Sequence, residues 1–83
     1  MLMKRLEYYT ASWCGPCRMV KPIIKKLKKE GLNIEIIDID KCPVEASQKE
    51  ILSVPTFVLY DEGVEVGRAS GAPSEKDVRG WLE

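Results

Sequence analysis

Residues 32–39 constrain the fold more than any other part of the sequence. Isoleucine occupies both odd and even positions of this segment, at Ile34, Ile36, Ile37 and Ile39. A strand with one face in water alternates apolar and polar residues, whereas a strand that is apolar on both faces needs protein against each side. We therefore expect a strand in the middle of a sheet that helices flank.

A strand and an amphipathic helix precede this segment. Residues 4–10 mix aromatic, β-branched and apolar side chains and end at small residues, which is typical of a strand. Between about Gly15 and Glu30 apolar residues recur at helical spacing opposite a lysine-rich face, and Gly31 supplies the stop. These apolar residues are Met19, Val20, Ile23, Ile24 and Leu27. Pro22 lies inside the pattern, so we expect a kink there rather than an end.

Shorter elements follow the isoleucine-rich strand. Pro43 suits the first turn of a helix that reaches about Leu52. Val54-Pro55 breaks that pattern, and residues 56–60 are then extended. An Asp-Glu-Gly turn joins them to a further alternating segment, which predicts a hairpin of two antiparallel strands.

The last element is predicted to be a helix. Ser74, with Asp77 three residues later, resembles a capping box. The apolar face of this helix holds Val78, Trp81 and Leu82, of which Trp81 is expected in the core. The fold class is therefore α/β with the order β-α-β-α-β-β-α, in which the first two strands are parallel and a mixed four-stranded sheet is flanked by helices.

Length and charge limit the classes of function. The 83 residues suffice for one domain with one modest core, so we expect residues 1–83 to form a single domain. Thirteen Lys plus Arg balance thirteen Asp plus Glu, which excludes a net field toward nucleic acid or anionic membranes. The amino-terminal segment is too charged for a secretory signal, and no apolar run approaches the roughly 20 residues of a membrane span. We expect a soluble, cytoplasmic monomer.

Two of the three cysteines, Cys14 and Cys17, stand at the start of the first helix. Three cysteines are too few for a secreted disulfide framework, which favours a reducing compartment. Disulfide exchange needs one thiolate that attacks and a second thiol close enough to release the mixed disulfide. Cys17 shares the helix stripe that faces the core, whereas Cys14 precedes the first full turn, where backbone N–H groups are free. We expect an exposed, attacking Cys14 and a buried, resolving Cys17.

A Cys-x-x-Cys pair is also half of a zinc site, which usually needs four Cys or His ligands. The chain has no His, and Cys42 is its only further cysteine, so zinc would have to recruit a carboxylate. We therefore expect no metal. Cys42 is expected to be a small, structurally neutral residue rather than a site of dimerisation or oxidative inhibition.

Several motifs make the sequence resemble the thioredoxin family over nearly the whole chain. In the family's order and approximate spacing they are Trp13-Cys14-Gly15-Pro16-Cys17, Pro22, Val54-Pro55-Thr56-Phe57 and Gly71-Ala72. The resemblance implies a thioredoxin fold in which a cis Val54-Pro55 bond faces a Cys14–Cys17 disulfide. It implies an active-site motif completed by Trp13, Gly15 and Pro16. The implied substrate-binding residues are Val54, whose backbone binds the substrate strand, Pro55, Thr56, Gly71 and Ala72.

Two features depart from the family's pattern. Thioredoxins of ordinary length begin with an additional strand and helix, so this chain resembles a shorter, glutaredoxin-sized core. Tyr8 occupies the place of the family's buried aspartate, and Ile36 that of its nearby lysine. A phenol with a reference pKa of about 10 accepts protons poorly near neutral pH, and Glu7 points to the opposite face of the strand. We expect Tyr8 to serve in packing, and water or the departing substrate thiolate to take the proton from Cys17.

The resemblance implies an enzyme that reduces disulfides of protein substrates, is recharged by a thioredoxin reductase and needs no bound cofactor. A glutathione-dependent, glutaredoxin-like reductase is the alternative that the short length favours, although Gly15-Pro16 and Gly71-Ala72 oppose it. A third possibility is a binding module in which the fold stabilises a partner and the cysteines are incidental.

Overall fold

The computed structural model describes residues 3–83, so residues 1 and 2 of the expected domain lie outside the described residues. The elements follow in the predicted order. They are β1 (Lys4–Thr10), α1 (Gly15–Lys29), β2 (Ile34–Asp38), α2 (Pro43–Gln48), β3 (Thr56–Asp61), β4 (Val64–Ser70) and α3 (Glu75–Leu82). The expected end of the second helix at Leu52 is wrong, since α2 ends at Gln48 and the chain turns at Glu50, whose φ is 55°.

The four strands form one mixed sheet with the order β2-β1-β3-β4. β1 is parallel to β2, while β3 is antiparallel to both β1 and β4, as expected for the crossover and the hairpin. The prediction of β2 in the middle of the sheet is wrong, because β2 is an edge strand. Both faces of β2 are nevertheless covered by protein, which explains its apolar residues. Ile34 packs in the core on one side of the sheet, and Ile37 packs in the core on the other side.

The larger core lies between the sheet and the helices α1 and α3. The buried stripe of α1 consists of Cys17, Val20, Ile24 and Leu27. Val20, Ile24 and Leu27 pack with Leu6, Tyr8, Ile34, Phe57 and Val78, and the partly buried Trp81 packs at the margin of this core. Met19, which the helical pattern placed with the apolar residues, is 73% exposed because it lies about 100° around the helix from Val20. α1 continues through Pro22.

The smaller core lies on the opposite face of the sheet. It contains Tyr9, Ile37, Val58 and Tyr60, against which residues of the segment after β2 pack. Cys42 is one of these half-buried residues, and its expected structural neutrality stays a prediction. The Arg5 guanidinium lies 4.3 Å from the centre of the Tyr60 ring and the Lys49 ammonium 4.9 Å from it. Two cationic side chains thus lie over part of this face.

A buried carboxylate also belongs to the smaller core. Glu7 is 7% exposed, accepts a hydrogen bond from Arg5 Nη1 at 2.7 Å and accepts another from the Tyr9 hydroxyl at 2.8 Å. Burial raises the pKa of Glu7, but the hydrogen bonds from Arg5 and Tyr9 outweigh burial and hold the pKa below its usual value. The ionised form of Glu7 is therefore part of the folded structure.

The predicted capping box at the start of α3 is present. Ser74 Oγ accepts a hydrogen bond from the backbone N–H of Asp77 at 3.1 Å, and Asp77 Oδ2 accepts one from the backbone N–H of Ser74 at 3.2 Å. Ion pairs of Arg79 with Glu30 and of Lys26 with Glu75 join α3 to α1. These pairs are partly exposed, so each contributes at most about 1 kcal/mol. Within residues 3–83 no helix has the length and apolarity needed to cross a membrane.

We predict that Glu7→Gln lowers the free energy of unfolding near neutral pH by about 1–3 kcal/mol, because it removes the charge from one buried and one partly buried hydrogen bond. A carboxyl whose pKa is lowered by folding stabilises the fold at pH values above its unfolded pKa of about 4.3, and that contribution is lost as the pH falls through the folded value. Urea denaturation near neutral pH and at about pH 3.5 measures both effects, and the difference between parent and variant shrinks at the lower pH.

The matched control is Glu35→Gln, which removes from β2 the exposed carboxylate that lies 3.6 Å from the same Arg5 nitrogen and so leaves only the buried partner of Arg5. It changes the free energy of unfolding by no more than about 0.5 kcal/mol. A Glu7→Gln effect as small as that of the control, or one that grew on acidification, would contradict the stabilising role of the Glu7 charge.

Candidate functional site

The disulfide between Cys14 and Cys17 lies at the start of α1, and the two Cα atoms are 5.3 Å apart. Cys14 is the N-cap residue of the helix, and its sulfur accepts a hydrogen bond from the backbone N–H of Cys17 at 3.2 Å. The first N–H groups of a helix have no partner within the helix, and together they form the positive end of its dipole. The sulfur of Cys14 therefore occupies a position that favours negative charge.

The expectation of an exposed Cys14 is wrong for this disulfide form. Cys14 is 4% exposed and Cys17 is 2% exposed, so both sulfur-bearing side chains are buried. Cys14 is bonded to Cys17, and the pair packs with Ala11 and with the partly buried Ile39 and Val54. Burial alone does not distinguish the two cysteines, whereas the N-cap position of Cys14 does.

Trp13 forms an exposed rim beside the disulfide. Its side chain is 63% exposed, and its Nε1 donates a hydrogen bond to Asp40 Oδ2 at 2.9 Å. Gly15 and Pro16 are exposed as well. Asp40 belongs to no motif that distinguishes it in the sequence. Because β1 and β2 are parallel, the residues that follow them meet at one edge of the sheet, and this rule could have identified it.

The Val54-Pro55 segment lies against the disulfide. Its peptide bond is cis, as the resemblance implied, and Val54 packs against the cluster that contains both cysteines. The Pro55 carbonyl accepts a hydrogen bond from the backbone N–H of Gly71 at 3.2 Å. Thr56 follows in β3 and pairs with Ser70 of β4. Gly71 has a φ of 91°, which favours glycine, and Ala72 follows it as an exposed residue.

Tyr8 fills the space beside the first turn of α1. Its hydroxyl is within hydrogen-bond distance of Thr10 Oγ1 at 3.1 Å and of the Cys17 carbonyl at 3.3 Å. Burial raises the pKa of Tyr8, and the hydrogen bond to Thr10 offsets only part of that rise. Tyr8 also stacks on Phe57 with 5.0 Å between ring centres. The hydroxyl thus contacts the main chain of Cys17 while the ring packs in the core.

A cavity of about 440 Å³ lies beside the disulfide, and Cys17 forms part of its wall. Thr10, Asp38 and Asp40 line the same cavity, as do the cations Arg18, Lys21 and Lys41. Apart from Cys17, none of these residues belongs to a motif that the sequence reveals. Across residues 3–83 the structure contains no group of three or more His, Cys, Asp or Glu side chains arranged to hold a metal ion.

The chain is similar to thioredoxins in both sequence and structure. The sequence model of the thioredoxin family matches residues 4–83. Thioredoxin-3 of Dictyostelium discoideum is 43% identical over 77 residues, which cover 90% of this chain and 73% of that protein. Thioredoxin of Homo sapiens is 40% identical over 70 residues, which cover 82% of this chain and 67% of that protein. The solved structure of a mutant thioredoxin from Halobacterium salinarum has a TM-score of 0.87 and 31% identity, and the match covers 96% of this chain and 72% of that chain.

We predict that Tyr8→Phe retains the turnover of a disulfide substrate such as insulin to within about threefold, because the hydroxyl contacts a carbonyl and not a sulfur. The variant loses about 0.5–1.5 kcal/mol of stability with the buried hydrogen bond. Turbidity kinetics of insulin reduction and urea denaturation measure the two effects. A decrease in turnover of more than about tenfold in a folded variant, equal to about 1.4 kcal/mol, would assign the hydroxyl a catalytic role.

Proposed function

This chain belongs to the thioredoxin family and is a thiol-disulfide oxidoreductase, and we propose that Cys14 attacks the substrate disulfide and Cys17 resolves the intermediate. One observation carries this assignment: the Cys14 sulfur caps α1 and accepts the backbone N–H of Cys17 at 3.2 Å. A charge at a helix N-terminus gains about 0.3–1 kcal/mol at exposed sites and more when it is partly buried. The same hydrogen bond supports the thiolate of Cys14 once the disulfide is reduced.

The exchange proceeds in two displacements. The Cys14 thiolate attacks one sulfur of the substrate disulfide, the other substrate sulfur leaves as a thiolate, and a mixed disulfide forms. Cys17 then attacks the Cys14 sulfur, which restores the Cys14–Cys17 bond and releases the second substrate thiol. The disulfide in this structure corresponds to the oxidised end of the cycle.

The proposed substrate site surrounds the exposed rim. Trp13 offers an exposed aromatic face, and Val54 packs against the two cysteines, where its backbone can pair with an extended substrate segment. The hydrogen bond between Gly71 and Pro55 holds the Gly71-Ala72 turn next to the Val54-Pro55-Thr56 segment. We therefore assign substrate contacts to Val54, Pro55, Thr56, Gly71 and Ala72.

The proposed electron donor is a thioredoxin reductase that reduces the Cys14–Cys17 disulfide directly. Gly15-Pro16 between the cysteines and Gly71-Ala72 in the place of a glutathione site support this donor over glutathione. No bound cofactor takes part in such a cycle, because the electrons are transferred by exchange between thiols and disulfides.

We place the protein in the cytoplasm as a monomer that acts on disulfide-containing proteins. It has neither nucleic acid nor membrane partners in this proposal, in line with its cysteine usage and balanced charge.

We predict that Cys17→Ser accumulates mixed disulfides through Cys14, since the intermediate has lost the thiol that resolves it. Non-reducing electrophoresis and mass spectrometry of peptides from the trapped species identify the linked cysteine. The matched control is Cys14→Ser, which should trap little substrate. Substrate joined to Cys17 in the Cys14→Ser variant, together with none joined to Cys14 in the Cys17→Ser variant, would reverse the two roles.

We predict that insulin reduction is at least about tenfold faster with NADPH and a thioredoxin reductase than with glutathione, NADPH and glutathione reductase. A Cys14→Ser, Cys17→Ser double variant sets the background of both assays. Faster reduction in the glutathione arm would make the protein a glutaredoxin-like enzyme. Activity no higher than that of the double variant in both arms would favour the binding-module alternative.

A further inference from the structure

Cys17 needs a proton acceptor when it resolves the mixed disulfide, because the thiolate is the nucleophile. Tyr8 is poorly suited to this task. Its hydroxyl lies 3.1 Å from Thr10 Oγ1 and 3.3 Å from the Cys17 carbonyl, so its single proton is already directed at oxygen atoms. Its raised pKa also makes the phenolate scarce near neutral pH. The proton of Cys17 must therefore leave by another path.

The cavity beside Cys17 supplies such a path. Cys17 forms part of its wall, and Thr10, Asp38 and Asp40 belong to the same lining. A polar cavity needs only about 10–15 Å³ of accessible volume to hold one water molecule. The 440 Å³ of this cavity can therefore hold several water molecules beside Cys17 and the two aspartates.

Of the two carboxylates, Asp38 has the more suitable placement. It pairs with Thr10 in the β1–β2 register, so its side chain points to the face of the sheet on which α1 lies. Asp38 is half-buried, and its Oδ1 accepts the backbone N–H of Asp40 at 2.9 Å, which orients the carboxylate. Asp40 is exposed at the rim, where Trp13 Nε1 bonds to its Oδ2.

The cavity is lined by charges of both signs. Arg18, Lys21 and Lys41 line it together with the two aspartates, so that three cations stand against two carboxylates. Nearby positive charge stabilises a thiolate relative to a thiol. The lining thus offers cations that can stabilise a thiolate and carboxylates that can receive its proton.

We propose that Asp38 accepts, through water in this cavity, the proton that Cys17 loses when it resolves the mixed disulfide. The proposal rests on the roles given above to Cys14 and Cys17. The S–H bond of Cys17 breaks, the proton passes along water to the Asp38 carboxylate, and the Cys17 thiolate attacks the Cys14 sulfur. The Cys14–Cys17 bond forms as the bond between Cys14 and the substrate sulfur breaks. The substrate leaves as a thiolate and then takes up a proton.

The test separates the two displacements with the chromogenic disulfide dithiobis(nitrobenzoate), added to the reduced protein in a Cys42→Ser background so that no third thiol reacts. Attack by Cys14 releases a first thionitrobenzoate, and attack by Cys17 releases a second. We expect Asp38→Asn to slow the second release about tenfold near neutral pH and to leave the first unchanged, because general base catalysis contributes about 10²–10⁴ and water in the cavity supplies part of it. Asparagine keeps the shape of the side chain and can still accept the Asp40 N–H.

Two further variants distinguish proton acceptance from a structural role. Asp38→Glu keeps a carboxylate in the cavity and retains the second rate to within about threefold. Glu35→Gln removes an exposed carboxylate from the opposite face of the same strand and leaves both rates unchanged. Added formate accelerates the second release of Asp38→Asn in proportion to its concentration and has no effect on the parent, since a small carboxylate can enter the cavity and replace the missing base.

Three results would overturn the proposal. The first is a second release as fast in Asp38→Asn as in the parent. The second is a slow release in Asp38→Asn that formate does not accelerate and that Asp38→Glu shares, which would show a purely structural role. The third is a parent protein that releases no second thionitrobenzoate, which would remove the resolving role of Cys17 and this proposal with it.

Discussion

The site depends on how α1 packs against the sheet. The buried stripe of α1 begins with Cys17 and continues through Val20, Ile24 and Leu27, so one helix register buries the core and places the disulfide. Each fully buried aliphatic side chain in such a stripe contributes about 1.5–3 kcal/mol. A rotation of the helix that moved Cys17 away from Tyr8 would expose these residues as well. The position of the reactive pair is therefore held by the energy of the core, although the reaction itself takes place at the edge of that core.

A tyrosine beside the first turn of this helix changes where acid–base chemistry can occur. Tyr8 fills its place with a ring that stacks on Phe57 and a hydroxyl that bonds to Thr10 and to the Cys17 main chain. This arrangement suits packing and places a phenol rather than a carboxylate beside the Cys17 main chain. Carboxylates instead lie at the carboxyl end of β2, where they line a cavity together with Cys17. The parallel pairing of β1 with β2 is what brings these groups to one side of the sheet.

On the opposite face of the sheet, a short segment after β2 packs against the aromatic residues. Glu7, Arg5 and Tyr9 form a hydrogen-bonded group there, and cationic side chains lie over Tyr60. A buried charge is costly unless its hydrogen bonds are satisfied, and Glu7 meets this condition with two donors. Charged side chains thus complete a surface that apolar residues cover only in part.

The sequence by itself determined the order of the elements, the limits of most of them, the capping box of α3 and the identity of the reactive cysteines. These properties are local: they depend on periodicity, on turn residues and on a short motif at a helix start. The edge position of β2, the burial of Cys14 and the exposure of Met19 were decided by the tertiary structure. Apolar residues on both faces of β2 show that protein covers those faces, but they do not show how many strands lie beside it. The contact between Trp13 and Asp40 and the cavity that joins Cys17 to Asp38 likewise exist only after folding, because strand pairing brings together residues that lie more than 20 positions apart in the chain.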